Sequence, residues 1–177
     1  MEKYISNAGL EFIILSRNGK SCVVQFTETG YTRKANIDNV RAGKVRDVYS
    51  ISVYGAGYYG EFEKVHYWKQ AKQLWQNMLK RCYCEKDLRG YRKWGTKVDK
   101  RWLCFSNFLV DLSSLENFDK WLVGQQSGKN KYNLDKDLKL HGNNVYCREA
   151  CSFVEESVNK SAGSRSKLEN YYRTISK

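Results

Sequence analysis

The spacing of apolar residues changes after about residue 60, and this change constrains the fold more than any other feature of the chain. Residues 10–46 hold short apolar runs separated by turn signals, of which Asn18-Gly19 is the clearest, because Asn-Gly favours a two-residue hairpin turn. Residues 64–82 instead repeat apolar side chains every three or four positions, as an amphipathic helix does. The sequence therefore predicts an α+β fold in which strands precede helices.

The same patterns divide the chain into segments. Residues 1–48 are predicted to form a small antiparallel β module that resembles an open barrel. Residues 49–62 have no periodic apolar face and contain a stretch of tyrosine and glycine at 54–60, which indicates a linker. Residues 63–160 are predicted to form an α+β domain, and the polar residues 161–177 a helical or disordered tail. We therefore expect the domain boundary in the Tyr/Gly segment.

The second domain is predicted to begin with the helix at 64–82 and to continue with shorter helices near 105–112 and 118–122. Residues 132–138 and 144–146 flank a turn at 140–143, a pattern typical of a β-hairpin. A last helix is expected from about residue 148. The stretch 91–102 alternates like a strand, which predicts a three-stranded sheet able to lie in the major groove of DNA.

Charge and aromatic content together point to nucleic acid. The 177 residues include 31 Lys and Arg against 19 Asp and Glu, a net charge of +12, and 14% of them are aromatic. Cations suit phosphates, and aromatic rings suit bases and sugars. No run of about 18 apolar residues occurs, so no membrane partner is expected. The N-terminus lacks an apolar signal core and the six cysteines fit free thiols, so we expect a cytoplasmic protein.

The basic and aromatic stretch 89–102 supplies most of the candidate contacts to nucleic acid, and basic residues near the later strands supply the rest. The alternative is a basic surface that is only solvated, as charge runs often are. The candidate nucleic-acid-binding residues are Arg89, Arg92, Lys93, Trp94, Lys97, Lys100, Arg101, Lys129, Lys131, Lys136 and Arg148.

Five stretches between about residues 65 and 160 resemble a bacteriophage protein family. Its members are labelled HNH endonucleases or plant ethylene-response-factor-type DNA-binding proteins. The stretches are 75–83, Trp102 with Phe105 and Phe108, 134–138, 142–146 and 151–154. Residues 26–31, 43–45 and 54–58 resemble the N-terminal module often fused to such proteins. The resemblance implies an HNH-like ββα unit, DNA as partner and the cytoplasm of a bacterial host as location.

The resemblance also implies where a nuclease site would lie. Asp135 and His141 would be the catalytic residues, and Asp135, Asp137 and His141 would hold a divalent metal such as Mg²⁺. HNH enzymes carry an Asp-His or His-His pair where this chain has Asp135 followed by Lys136. An ammonium group makes a poor base near neutral pH and repels a metal ion. The resemblance therefore implies a catalytically degenerate member.

The expected function is that of a phage-encoded DNA-binding protein derived from a homing-endonuclease scaffold, acting as a regulator or against a host defence. One alternative is an active metal-dependent endonuclease. Another is a small effector for host takeover that binds and inhibits a host protein or ribonucleoprotein. No cofactor is expected.

The cysteines allow a second metal hypothesis. Cys82 with Cys84, and Cys147 with Cys151, would supply four thiolates to zinc if the two segments meet. Neither spacing is the usual Cys-x-x-Cys pair, so buried free thiols are the preferred interpretation.

Overall fold

The computed structural model describes residues 2–86, 95–140 and 142–158. The chain divides into two compact units. The first unit contains Met1–Ile51 and Tyr58–Glu61, and the second contains Ser52–Gly57 and the chain from Phe62 onward. The predicted tail, 161–177, lies outside the described residues.

The first unit is an antiparallel sheet of four strands followed by a short helix, α1 (Ile37–Arg41). The strands β1 (Lys3–Ile5), β2 (Glu11–Asn18), β3 (Ser21–Phe26) and β4 (Thr32–Asn36) pair in sequence order. The predicted hairpin between β2 and β3 is present, but its turn lies one residue later than Asn18-Gly19. Asn18 pairs with Ser21, so Gly19, with a φ of 58°, and Lys20 form the turn. The mixed α+β class is confirmed. The sheet is an open meander, since β1 and β4 are its two edges.

Alternation along β3 explains why this sheet has one buried face. Cys22, Val24 and Phe26 are buried, whereas Val23 and Gln25 between them are only partly covered. These side chains belong to a core with further members from β2, α1 and the residues after α1. The other buried members are Phe12, Ile37, Val40 and Val45.

The second unit combines three longer helices with short strands. The helices are α2 (Trp68–Tyr83), α3 (Phe105–Leu112) and α4 (Phe118–Ser127), and a 3-10 helix spans Lys100–Leu103. The strands are β5 (Lys97–Val98), β6 (Tyr132–Asp135), β7 (Val145–Tyr146) and β8 (Ser152–Glu155). β5 pairs with β7 in parallel, and β6 pairs with β8 antiparallel. The three predicted helices are therefore present, but the strand pairing differs.

The predicted hairpin between 132–138 and 144–146 is wrong, because β6 pairs with β8 instead of β7. This register sets the buried Leu134 opposite the buried Phe153, and the ring of Trp121 stacks on that of Phe153 with centroids 4.9 Å apart. The last helix expected from residue 148 is also wrong, since a turn and then β8 follow. Within the described residues, two separate two-stranded sheets take the place of the expected three-stranded one.

The Tyr/Gly segment is packed as well as glycine-rich. Its residues Val53 and Gly57 are buried, and the N–H of Val53 donates to the carbonyl of Gly57 at 3.0 Å. A Cβ at Gly57 would lie 2.9 Å from Cζ2 of Trp75 and closer still to Cδ1 of Leu79. Residues 49–62, predicted as a linker, are divided between the two units. Gly57 therefore permits close approach to α2.

The core of the second unit follows from the apolar stripe on α2, of which Ala71, Trp75, Met78, Leu79 and Cys82 are buried as predicted. Aromatic residues from α3 and α4 pack into the same interior, and Nε1 of Trp75 donates to the carbonyl of Trp102 at 2.7 Å. Within the described ranges, none of the helices has both the length and the apolar character needed to cross a bilayer.

Candidate nucleic-acid interface

The positive charge is concentrated in the second unit. Met1–Ile51 and Tyr58–Glu61 contain eight Lys and Arg against six Asp and Glu, so +10 of the net +12 belongs to the rest of the chain. Polyanions are attracted by such local excess rather than by the total charge. The second unit is therefore where an interface with nucleic acid is expected.

Four of the predicted contact residues lie together around β5 and β7, and we call them the basic corner: Lys97, Lys100, Arg101 and Arg148. Lys97 pairs with Val145 across the two strands, and the 3-10 helix that carries Lys100 and Arg101 follows directly. Arg148 comes two residues after β7. Lys97 and Lys100 are exposed, and the side chains of Arg101 and Arg148 keep 52% and 55% of their exposure.

Buried anchors hold this corner in place. The Asp99 carboxylate caps the 3-10 helix by accepting from the Arg101 N–H at 2.9 Å. The Asp99 N–H donates to the carbonyl of Tyr146 at 2.9 Å, which ties the helix to β7. Trp102, 1% exposed, packs on Phe108 with ring centroids 5.1 Å apart. The cations therefore project from a rigid support.

The buried Asp111 on α3 interacts with both arginines of the basic corner. Its carboxylate, 2% exposed, accepts from Nε and Nη2 of Arg101 at 2.8 and 3.1 Å, and from Nε1 of Trp102 at 2.9 Å. Nη1 of Arg148 lies 4.0 Å from the same carboxylate. A guanidinium has five N–H donors, and Asp111 takes two of those on Arg101. The remaining donors are left for an external acceptor.

Electrostatics keep Asp111 ionised. Burial acts to raise the pKa of its carboxyl, but the hydrogen bonds from Arg101 and Trp102 and the charge of Arg148 outweigh burial and lower the pKa below its ordinary value. The same hydrogen bond raises the pKa of Arg101. Asp111 therefore neutralises part of the charge of the corner while it fixes the direction of Arg101.

Sequence reasoning missed Asp111, although a signal was present. The apolar positions of α3 are Phe105, Phe108, Leu109 and Leu112, and residue 111 lies three positions after 108. A carboxylate at that spacing faces inward, where it needs a cationic partner. Arg101 supplies that partner, so it has a structural role besides the predicted one.

Lys136 is buried, which does not support its predicted role on a nucleic-acid surface. Its side chain is 6% exposed and forms an ion pair with Asp137. Nζ also donates to the carbonyl of Asn143 at 3.2 Å and lies 5.8 Å from the ring centroid of Tyr146. A buried ammonium group is tolerated only where a carboxylate and other hydrogen-bond acceptors satisfy it, as they do here. Lys136 therefore links β6 to the segment before β7.

The other candidate cations are on a different segment of the chain or are not described. Lys129 and Lys131 are exposed on the loop between α4 and β6. The predictions for Arg89, Arg92, Lys93 and Trp94 fall outside the described residues. Among the described candidates, therefore, only the four corner residues share one surface supported by common contacts.

The predicted nuclease and metal residues have local structural roles where they are described. Oδ1 of Asp135 accepts from the N–H groups of Asp137 and Leu138, both at 2.8 Å, and so closes the turn after β6. Burial raises the pKa of Asp135 despite these hydrogen bonds. The predicted third partner, His141, falls outside the described residues.

The cysteines do not form a metal cluster in the described part of the chain, where no group of three or more His, Cys, Asp or Glu is arranged to hold an ion. Cys82, Cys84, Cys147 and Cys151 are free thiols. Burial raises the pKa of Cys82 to about 11 and also raises that of Cys151, so thiolates are disfavoured there.

Comparison with protein families, with curated proteins and with solved structures gives no match for this chain. A functional conclusion therefore depends on the chain's own residues and geometry.

Proposed function

We propose that the protein binds duplex DNA through the basic corner. The observation that carries the proposal is the common support of Lys97, Lys100, Arg101 and Arg148 around β5 and β7. All four are exposed, while the carboxylates beside them, Asp99 and Asp111, are occupied by internal donors. Phosphates of the DNA backbone are acceptors suited to such groups.

The two arginines and two lysines have different tasks in this proposal. Asp111 orients Arg101 through two hydrogen bonds, so little side-chain freedom is lost when a phosphate takes its remaining donors. Lys97 and Lys100 are long and exposed, and act as flexible point charges. Backbone contacts of this kind fix position and carry no sequence information.

The resemblance to phage HNH-type proteins gives the proposal its biological setting. In that setting the chain is a phage-encoded protein derived from a homing-endonuclease scaffold, acting in the cytoplasm of a bacterial host as a regulator or against a host defence. Burial of Lys136 beside Asp135 supports binding without cleavage, because a buried ammonium paired with a carboxylate is not available as a base.

Salt dependence tests the proposal. If the four cations each neutralise one phosphate, the affinity falls with salt at a logarithmic slope of about −3.6, or about 150-fold between 50 and 200 mM salt. Fluorescence anisotropy measures the affinity for two 20-base-pair duplexes of unrelated sequence at each salt concentration. We expect the affinity for both duplexes to fall with salt at a similar steep slope. Affinity that is independent of salt, or no binding at 50 mM, would overturn the proposal.

A further inference from the structure

A second candidate surface lies in the same unit and shares no residue with the basic corner. α2, α4 and β6 enclose a groove of about 380 Å³, which is within the ~300–1,000 Å³ range of ligand sites. Its floor is apolar, formed by Met78, Trp121 and Leu134 among others. Its walls are rich in side-chain amides: Gln70, Gln73, Asn77, Gln125, Asn130 and Asn133.

The charged side chains that line this groove are both cations, Lys69 and Arg81. Among the described residues, its lining includes no Asp or Glu. The two cations lie twelve residues apart on α2, which corresponds to about 18 Å along the helix axis. A single phosphate group cannot contact both. A chain of phosphates can, and it would follow the axis of α2.

One amide in the groove lacks a partner. Oε1 of Gln70 is shielded from solvent and accepts no hydrogen bond from the described residues. A buried acceptor without a donor destabilises the free protein, so this atom is better suited to a state in which a ligand supplies an N–H or O–H. An amide offers a donor and an acceptor side by side, which pairs with the edge of a base.

We propose that this amide groove binds an unpaired segment of a polynucleotide strand. Lys69 and Arg81 contact phosphates, and Gln70 reads the edge of an unstacked base, the kind of contact by which single strands are recognised. The half-buried Tyr132 at the wall offers an aromatic surface on which a base can stack. The length between the cations favours a strand over a free nucleotide, and the side-chain amides, which can pair with the edges of bases, favour it over an acidic peptide.

The first test compares two variants on α2 that lose the same charge. Lys69→Gln alters the groove, whereas Lys72→Gln alters a lysine that does not line it, about 150° around the helix from the groove centre. The probes are a fluorescein-labelled 12-nucleotide DNA strand and its RNA counterpart, measured by anisotropy. We expect Lys69→Gln to lower the salt slope by about 0.7, one single-strand contact, and Lys72→Gln to leave it unchanged. Equal effects of the two variants would overturn the proposal.

The second test uses the unpartnered amide. Gln70→Met removes a buried polar atom that has no donor, so the unfolding midpoint should stay the same or rise, while strand binding weakens by about tenfold. Unchanged strand binding in this variant would contradict the role of Gln70. Adenosine monophosphate that competes as well as the strand, or a glutamate-rich peptide that binds where strands do not, would also overturn the assignment.

Failure of this inference is distinguishable from failure of the proposed function. Lys97→Gln, in the basic corner, should weaken duplex binding and leave single-strand binding unchanged. Duplex binding without single-strand binding would refute the proposed role of the amide groove and would leave the proposed role of the basic corner standing.

Discussion

Replacing Asp111 with alanine should destabilise the second unit by about 2–4 kcal/mol. The substitution leaves the Trp102 indole N–H buried without the acceptor that it has at 2.9 Å, and an unsatisfied buried donor costs about 1–3 kcal/mol. It also removes two hydrogen bonds from Arg101, whose side chain is 52% exposed. Water replaces those bonds in part, so they add only about 1 kcal/mol.

Tryptophan fluorescence during urea unfolding isolates this effect. All five tryptophans lie in the second unit, so the signal reports that unit alone. With a slope of about 2 kcal/mol per molar urea, a loss of 3 kcal/mol lowers the midpoint by about 1.5 M. The matched control is Glu116→Ala, which removes a carboxylate that is 63% exposed and 3.5 Å from Lys139. Such a surface pair contributes at most about 1 kcal/mol.

The same prediction has a pH dependence. Because the pKa of Asp111 is lowered in the folded state, its ionised form stabilises the fold above the ordinary value of 3.8. That contribution is lost as the pH falls through the lowered pKa. The difference in urea midpoint between wild type and Asp111→Ala should therefore become smaller below about pH 4. If the urea midpoint of Asp111→Ala equals that of Glu116→Ala at pH 7, the hydrogen bonds of Asp111 do not stabilise the second unit as argued.

Three further predictions concern the packing of Gly57, the burial of Lys136 and the role of Asp135. Gly57→Ala should lower the stability of the second unit by about 1–3 kcal/mol, since the new Cβ overlaps Leu79; an unchanged urea midpoint would contradict this packing. Lys136→Met should leave the salt slope of duplex binding unchanged, whereas Lys97→Met should lower it by about 0.9. The same slope for both variants would show that Lys136 contacts DNA as Lys97 does. Purified protein should not nick supercoiled plasmid with Mg²⁺ or Mn²⁺, and nicking that disappears in Asp135→Ala would restore the nuclease reading.

Local patterns predicted the elements of this chain better than their partners. The hairpin signalled by Asn18-Gly19 and the apolar stripe through Trp75 and Leu79 are properties of neighbouring residues. Both are confirmed, although the turn itself is at Gly19 and Lys20. The strand Lys3–Ile5 was not predicted, because three residues are too short for a periodicity to show.

Pairing and burial of polar groups depend on residues far apart in sequence. Leu134 lies opposite Phe153, a choice that no property of residues 132–146 reveals. The sequence alone predicts Lys136 to be a surface cation, because its partners, Asp137 and the Asn143 carbonyl, are identified only in the structure. Arg101 was predicted from the basic stretch, yet its role beside Asp111 required the placement of α3.

The most direct test of the basic corner is a change in the number of ions released on duplex binding. The triple variant Lys97→Gln, Lys100→Gln and Arg148→Gln spares Arg101 and its contacts to Asp111. The matched control replaces three exposed lysines of the first unit, Lys20, Lys34 and Lys44, with glutamine. Anisotropy between 50 and 200 mM salt should show a slope reduced by about 2.7 in the corner variant and little change in the control. Equal slopes for the two variants, with both folded by far-ultraviolet circular dichroism, would contradict the account.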